Sequence, residues 1–207
     1  MDQYVTVLDY GEDSFVERRS KFIGYAKPVK REEDAVAFIN ELRQKHWDAT
    51  HNVYAYSLRE GNITRYSDDG EPQGTAGIPV LDVIKKEGIT DVVVVITRYF
   101  GGVLLGTGGL VRAYSNGAKI ALAAAKPVVM RECAVCKLSC SYTAYGKISS
   151  LIPSDGGTVD DVVFTDKVDV RFHIPSENMG VFEKHLTDAT AGSVFAEIID
   201  NRYFMCE

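Results

Sequence analysis

Residues 92–118 most constrain what this chain can fold into. Val92-Val93-Val94-Val95-Ile96 is a run of β-formers that reads as a buried strand. It leads through Thr97-Arg98-Tyr99-Phe100 into five glycines within nine residues: Gly101, Gly102, Gly106, Gly108 and Gly109. An alanine-rich helix, roughly Leu110 to Ala125, leads out. Glycine tolerates positive φ and lets another group approach the backbone closely. A strand, a glycine-rich loop and a helix start together make an anion cradle, because the first helical N–H groups lack partners and the dipole favours negative charge there. Arg98, Gly101, Gly102, Thr107, Gly108, Gly109, Arg112 and Lys119 are therefore candidate anion- or nucleic-acid-binding residues. The plainer alternative is that the glycines serve only tight turns and close packing. Neither nucleotide fingerprint, G-x-G-x-x-G with a following acid or G-x-x-x-x-G-K-[ST], is met.

At 207 residues, 45% hydrophobic and 25% charged, the chain has room for one large or two small globular domains. Its start, Met1-Asp2-Gln3-Tyr4, has no basic or apolar signal region, and no apolar run is long enough to span a bilayer. The expected location is cytoplasmic, with no membrane partner. Cys133-x-x-Cys136-x-x-x-Cys140 has the look of a metal or redox motif. It falls, however, in an alternating strand with Cys136, Leu138 and Cys140 on one face, and no second ligand pair follows. Buried thiols are expected, with no metal and no cofactor. Residues 133–207 hold six Lys/Arg against eleven Asp/Glu, a net −5 within a chain total of −6. That acidity argues against the C-terminal half as a phosphate-binding surface and leaves the N-terminal half free to carry a basic patch.

Along the chain, Tyr4–Leu8 and Ser14–Val29 read as strands joined by a turn at Gly11-Glu12-Asp13. The second carries Arg18, Arg19 and Lys21. Glu32–His46 is an amphipathic helix; Thr50–Leu58 and Ile63–Tyr66 form a hairpin. The polar loop Ser67–Gly77 holds Asp68, Asp69 and Glu71, and a loop of that length without regular structure tends to be functional. A helix over Val80–Glu87, with Pro79 at its first position, precedes the central strand. A boundary near Lys126–Cys133 divides residues 1–130 from 133–207. The second part reads β-α-β-β-α-β: a strand over Ala134–Tyr142, a short helix over Tyr145–Leu151, a hairpin over Thr158–Thr165 and Val168–Ile174, a helix capped by Ser176, and a last strand over Ser193–Tyr203.

Two long motifs carry a resemblance. Arg65-Tyr66-Ser67-Asp68-Asp69-Gly70-Glu71-Pro72-x-Gly74-Thr75-Ala76-Gly77 and Thr97-Arg98-Tyr99-Phe100-Gly101-Gly102-x-x-Leu105-Gly106-Thr107-Gly108-Gly109-Leu110-x-Arg112-Ala113-Tyr114 resemble the signature of the IMPACT/YigZ family. Ala49-Thr50-His51-Asn52-x-Tyr54-Ala55-Tyr56 is a third, weaker element. The resemblance implies an α+β architecture: an N-terminal βα sandwich like the second domain of a small-subunit ribosomal protein (also found as domain IV of elongation factor G), plus a ferredoxin-like βαββαβ C-terminal domain. Eukaryotic relatives regulate translation through a kinase activator, using an additional N-terminal domain for which this chain has no room. For bacterial members the resemblance implies a role in translation or RNA binding, with no catalytic residues to carry over.

Three functions follow. The first is a non-catalytic regulator of translation that binds RNA or ribosomes through the glycine-rich loop. The second is an enzyme or small-anion receptor in which His51, Asp68, Asp69 and Glu71 supply acid–base groups beside the cradle. The third is a protein-binding adaptor that uses the acidic C-terminal domain. Should the acids of the 67–77 loop face Arg98 and Arg112, the cradle becomes a structural ion-pair network.

Overall fold

The computed structural model describes residues 3–205, an α+β chain divided into two compact units: Tyr4–Val129, and residues 130–205 with Gln3. Among the described residues, no helix is long and apolar enough to cross a membrane.

The first unit is built on a five-stranded sheet. In sheet order its strands are β2 (Gly11–Glu17), β3 (Ser20–Pro28), β6 (Val92–Tyr99), β4 (His51–Leu58) and β5 (Ile63–Ser67), and every neighbouring pair is antiparallel. The valine run is the central strand, β6. Val92, Val94 and Ile96 enter one core with helices α2 (Gly77–Lys86) and α3 (Thr107–Ala124). Val93 and Val95 enter another with α1 (Glu32–Lys45). Helices cover both faces, which explains a strand without polar alternation. β1 (Gln3–Val7) is tied in by the Thr90 N–H, which donates to Val5 O at 2.9 Å. α3 lies very close to the sheet: a Cβ on Gly24 of β3 would come within 2.5 Å of Gly117 O.

β7 (Pro127–Cys140) starts in the first unit and continues into the second, so the boundary falls inside a strand instead of a linker. In the second unit β7 is flanked by β10 (Glu197–Met205) and β9 (Val168–Pro175), and β8 (Thr158–Phe164) pairs with β9. Numbered within the unit, the antiparallel order is 4-1-3-2. Helices α4 (Tyr142–Ser154) and α5 (Met179–Thr190) supply Ile148, Ile152, Phe182 and Leu186 to a core with Cys136, Leu138 and Cys140, while Lys137 and Ser139 face outward. Burial pushes the Cys136 thiol up to about 11. Cys206 lies outside the described residues.

Several expected boundaries move. The strand expected over Ser14–Val29 is two strands, joined by a two-residue turn at Arg18-Arg19 with φ of 43° and 67°. That is a type I′ pattern, normally written Asn-Gly, so two arginines there give no turn signal. Gly11 begins β2 instead of turning, and its missing side chain lets Ala125 approach. α2 begins at Gly77, ahead of Pro79, because Asp68 caps it from the preceding loop. α3 begins at Thr107, which places Gly108 and Gly109 in its first turn. In the second unit Ser141 caps α4, its Oγ accepting from Ala144 N at 3.3 Å. Ser176 caps nothing: it opens a short 3-10 turn, and its buried hydroxyl has no partner.

Candidate functional site

Strand pairing gathers four loops at one end of the first sheet. Lys21 pairs with Tyr99, and His51 pairs with Arg98. The β2–β3 turn, the α1–β4 connection, the polar loop before α2 and the glycine-rich loop before α3 therefore share that end.

Arg98 turns inward. Its Nη1 donates to Glu71 Oε1 at 2.6 Å, and the two side chains are 6% and 3% exposed. The same carboxylate oxygen accepts from Tyr114 Oη at 2.7 Å and lies 3.7 Å from His51 Nε2. Burial first, and Glu71 second, push the Tyr114 phenol far above its ordinary value. His51 Nδ1 lies 2.8 Å from Asp69 O; with a carbonyl as partner that nitrogen carries the proton, which leaves Nε2 toward Glu71. Arg98 Nη2 and the Gly101 N–H both donate to Ser20 Oγ, at 3.3 and 3.2 Å. A Cβ on Gly101 would lie 2.0 Å from Arg19 O, so glycine is required where this loop crosses the hairpin tip.

The other loop acids are engaged as well. Asp68 accepts from the N–H groups of Gly74, Ala76 and Gly77, at 2.8, 3.1 and 2.8 Å, and so neutralises the start of α2. Asp69 accepts from Arg43 Nη2 at 2.8 Å and from Asn52 N at 2.6 Å. His51, Glu71 and Arg98 thus form one buried cluster with Tyr114, while Asp68 and Asp69 shape the loop. Tyr114 is legible in the sequence only as a core position of α3; its hydroxyl role depends on the tertiary fold.

The start of α3 is different. Gly106 is its N-cap, with φ 72° and no side-chain cap, and the first backbone bond runs from Leu110 N to Gly106 O at 2.9 Å. The N–H groups of Thr107, Gly108 and Gly109 precede that bond and have no helical acceptor. Arg112, Asn116 and Lys119 are exposed on α3. Lys119 lies about 10 Å beyond Arg112 along the helix axis at 1.5 Å per residue. Among the described residues, Arg18, Arg19, Lys21, Arg112 and Lys119 form no ion pair. The two arginines expected to act together are held differently: Arg98 is paired with Glu71, whereas Arg112 lines a cleft with Arg18. A cleft of about 250 Å³ between β2 and α3 is lined by Arg18, Glu17, Arg112, Asn116, Phe15 and Leu105. Glycines 102 and 106 carry positive φ, which the loop's path requires.

On the second unit, a cleft of about 400 Å³ lies on the sheet, where Lys137 and Arg171 alternate with Asp161, Asp169 and Glu197. Its charges are mixed, and Phe195 beside them is 74% exposed.

Residues 18–122 match the family model described as "Impact N-terminal domain", and residues 138–193 match "Domain of unknown function (DUF1949)". The chain is 35% identical over 193 residues to "IMPACT family member YvyE" of Bacillus subtilis (strain 168), covering 93% of this chain and 89% of that protein. It is 32% identical to "IMPACT family member YigZ" of Escherichia coli (strain K12), covering 86% and 88%. Similarity to "Protein IMPACT homolog" of Dictyostelium discoideum, 38% identical, covers 47% of this chain but 29% of that one. A solved structure titled "Crystal structure of an hypothetical protein" superposes with a TM-score of 0.61 at 30% identity, covering 97% of this chain and 98% of that one.

Proposed function

The chain belongs to the IMPACT family, and from that premise we propose that it is a non-catalytic regulator of translation that binds RNA or ribosomes through the loop end of its N-terminal unit. The observation that carries this reading is a division of charge. The three acids of the 67–77 loop are taken up internally by Arg98, Arg43 and the start of α2, whereas Arg18, Arg19 and Arg112 are exposed and form no ion pair among the described residues. Exposed guanidiniums without an ion-pair partner suit phosphate contacts that position a nucleic acid without reading its sequence. The same engagement leaves an acid–base enzyme built on His51, Asp68, Asp69 and Glu71 with little free carboxylate to work with.

The 4-1-3-2 strand order supports a ferredoxin-like reading of the second unit. The antiparallel sheet with α2 and α3 on one face is the part of the first unit to compare with the ribosomal-protein and elongation-factor domain. Cosedimentation with ribosomes and with bulk RNA across a salt series tests the function. Binding that weakens with salt, and is lost in a folded Arg18→Gln/Arg112→Gln variant, supports it. Absence of wild-type binding at low salt overturns it and turns the search to a protein partner.

A further inference from the structure

The cleft between β2 and α3 sets two guanidiniums against one carboxylate. Arg18 reaches it from the hairpin tip and Arg112 from the helix, two elements that meet only in the folded unit. Arg112 folds back toward the start of its own helix: its Nη1 would lie 3.5 Å from a Cβ placed on Gly108. A cation beside the positive end of a helix has the unfavourable sign for the dipole. α2 shows the favourable arrangement, with Asp68 over its first N–H groups. Among the described residues Glu17 is the one carboxylate lining the cleft, and it forms no ion pair with either arginine. Phe15 and Leu105 add apolar wall, and Asn116 offers an amide.

We propose that this cleft is a phosphate-binding subsite, in which Arg18 and Arg112 clamp one phosphate group of an RNA chain and Asn116 donates a further hydrogen bond. The subsite deepens the RNA reading, which supplies the source of the phosphate. A phosphate here answers the excess of two guanidiniums over one carboxylate, and charge-assisted guanidinium–phosphate bonds are among the stronger polar contacts available to a partly exposed site. The volume of about 250 Å³ accommodates one phosphate group with its adjoining sugar.

The test is an NMR titration of the full isotopically labelled chain, reading backbone amides and arginine Nε–H signals. Inorganic phosphate is titrated against chloride at constant ionic strength. A short oligoribonucleotide follows, with and without a 5′-phosphate. The expected result is saturable phosphate shifts at Thr107, Gly108 and Gly109 and at the side chains of Arg18 and Arg112. Arg112→Gln is expected to weaken phosphate about tenfold, and Glu17→Gln to strengthen it. Equal binding of the two oligonucleotides assigns a backbone phosphodiester; a preference for the phosphorylated one assigns a terminal phosphate. Shifts scattered over the surface without saturation, or phosphate shifts undiminished in Arg112→Gln with an unchanged far-UV spectrum, overturn the subsite. RNA cosedimentation that persists in that case leaves the RNA reading standing and removes only the subsite.

Discussion

Glu71 and Arg98, 27 residues apart, meet in a 2.6 Å ion pair inside the first unit, with Tyr114 on the same carboxylate oxygen. The pair fastens the polar loop to the central strand and to α3. A buried pair of this kind is a modest source of net stability, but losing one partner leaves an uncompensated charge.

Glu71→Gln is therefore expected to destabilise the unit by about 3 kcal/mol, read by urea denaturation. RNA affinity of the fraction that remains folded is expected to be close to wild type, because Arg98 is buried and makes no surface contact. A neutral effect on stability contradicts the structural role assigned to the pair.

Replacing Arg18-Arg19 with Asn-Gly separates stability from binding. Both arginines hold positive φ at the hairpin tip. Asn-Gly suits that geometry, so stability is expected to rise by about 1–2 kcal/mol. RNA binding is expected to fall in the same variant. A more stable protein that binds as well as wild type removes Arg18 and Arg19 from the interface.

Gly24→Ala tests the close approach of α3 to the sheet. The added methyl meets Gly117 O, a backbone atom, at 2.5 Å, and overpacking of this kind costs about 1–3 kcal/mol. Equilibrium denaturation reads it. Gly180→Ala, on α5 with nothing within 4 Å, is the control expected to show no loss.

His46 sets a pH dependence on the opposite sheet face. Its Nε2 lies 2.6 Å from Tyr25 Oη and its Nδ1 2.9 Å from Tyr99 Oη, whose hydroxyl donates to Asp48 at 3.1 Å. With that direction fixed, Nδ1–H donates to Tyr99 and Nε2 accepts from Tyr25, an arrangement that needs a neutral ring. Burial first, and then Lys45, hold the His46 pKa below its ordinary 6.5. The unfolded chain thus takes up this proton before the folded one as pH falls. The stabilising contribution is complete above the unfolded value and is lost as pH drops through the lower folded value. Urea midpoints measured between about pH 7.5 and 5 are expected to decline, and His46→Gln to flatten that part of the decline. A wild-type midpoint that rises on acidification contradicts this.

Much of the frame was legible because it rests on local pattern. The valine run, the amphipathic period of α1 and the β-α-β-β-α-β order each announce an element type. What could not be read depends on register or on distant partners. The turn at Arg18-Arg19 uses residues without turn propensity, so β2 and β3 merged into one expected strand. Asp68 caps a helix that begins nine residues later, beyond the reach of a local capping signal. The pairing of Arg98 with Glu71 follows from how β4, β5 and β6 align, which no single stretch encodes. For the same reason the sequence grouped Arg98 with Arg112, whereas the fold groups Arg112 with Arg18.

The most direct measurement is fluorescence anisotropy of a labelled single-stranded RNA with wild type and with Arg18→Gln/Arg112→Gln, over a range of salt concentrations. The account predicts a wild-type affinity that falls with salt on a log–log plot, and a double variant whose slope is shallower by about 0.7, the increment for the one phosphate contact that the two arginines share. Wild-type binding that is absent at low salt, or a slope that the double substitution leaves unchanged, would contradict a nucleic-acid surface at this end of the sheet.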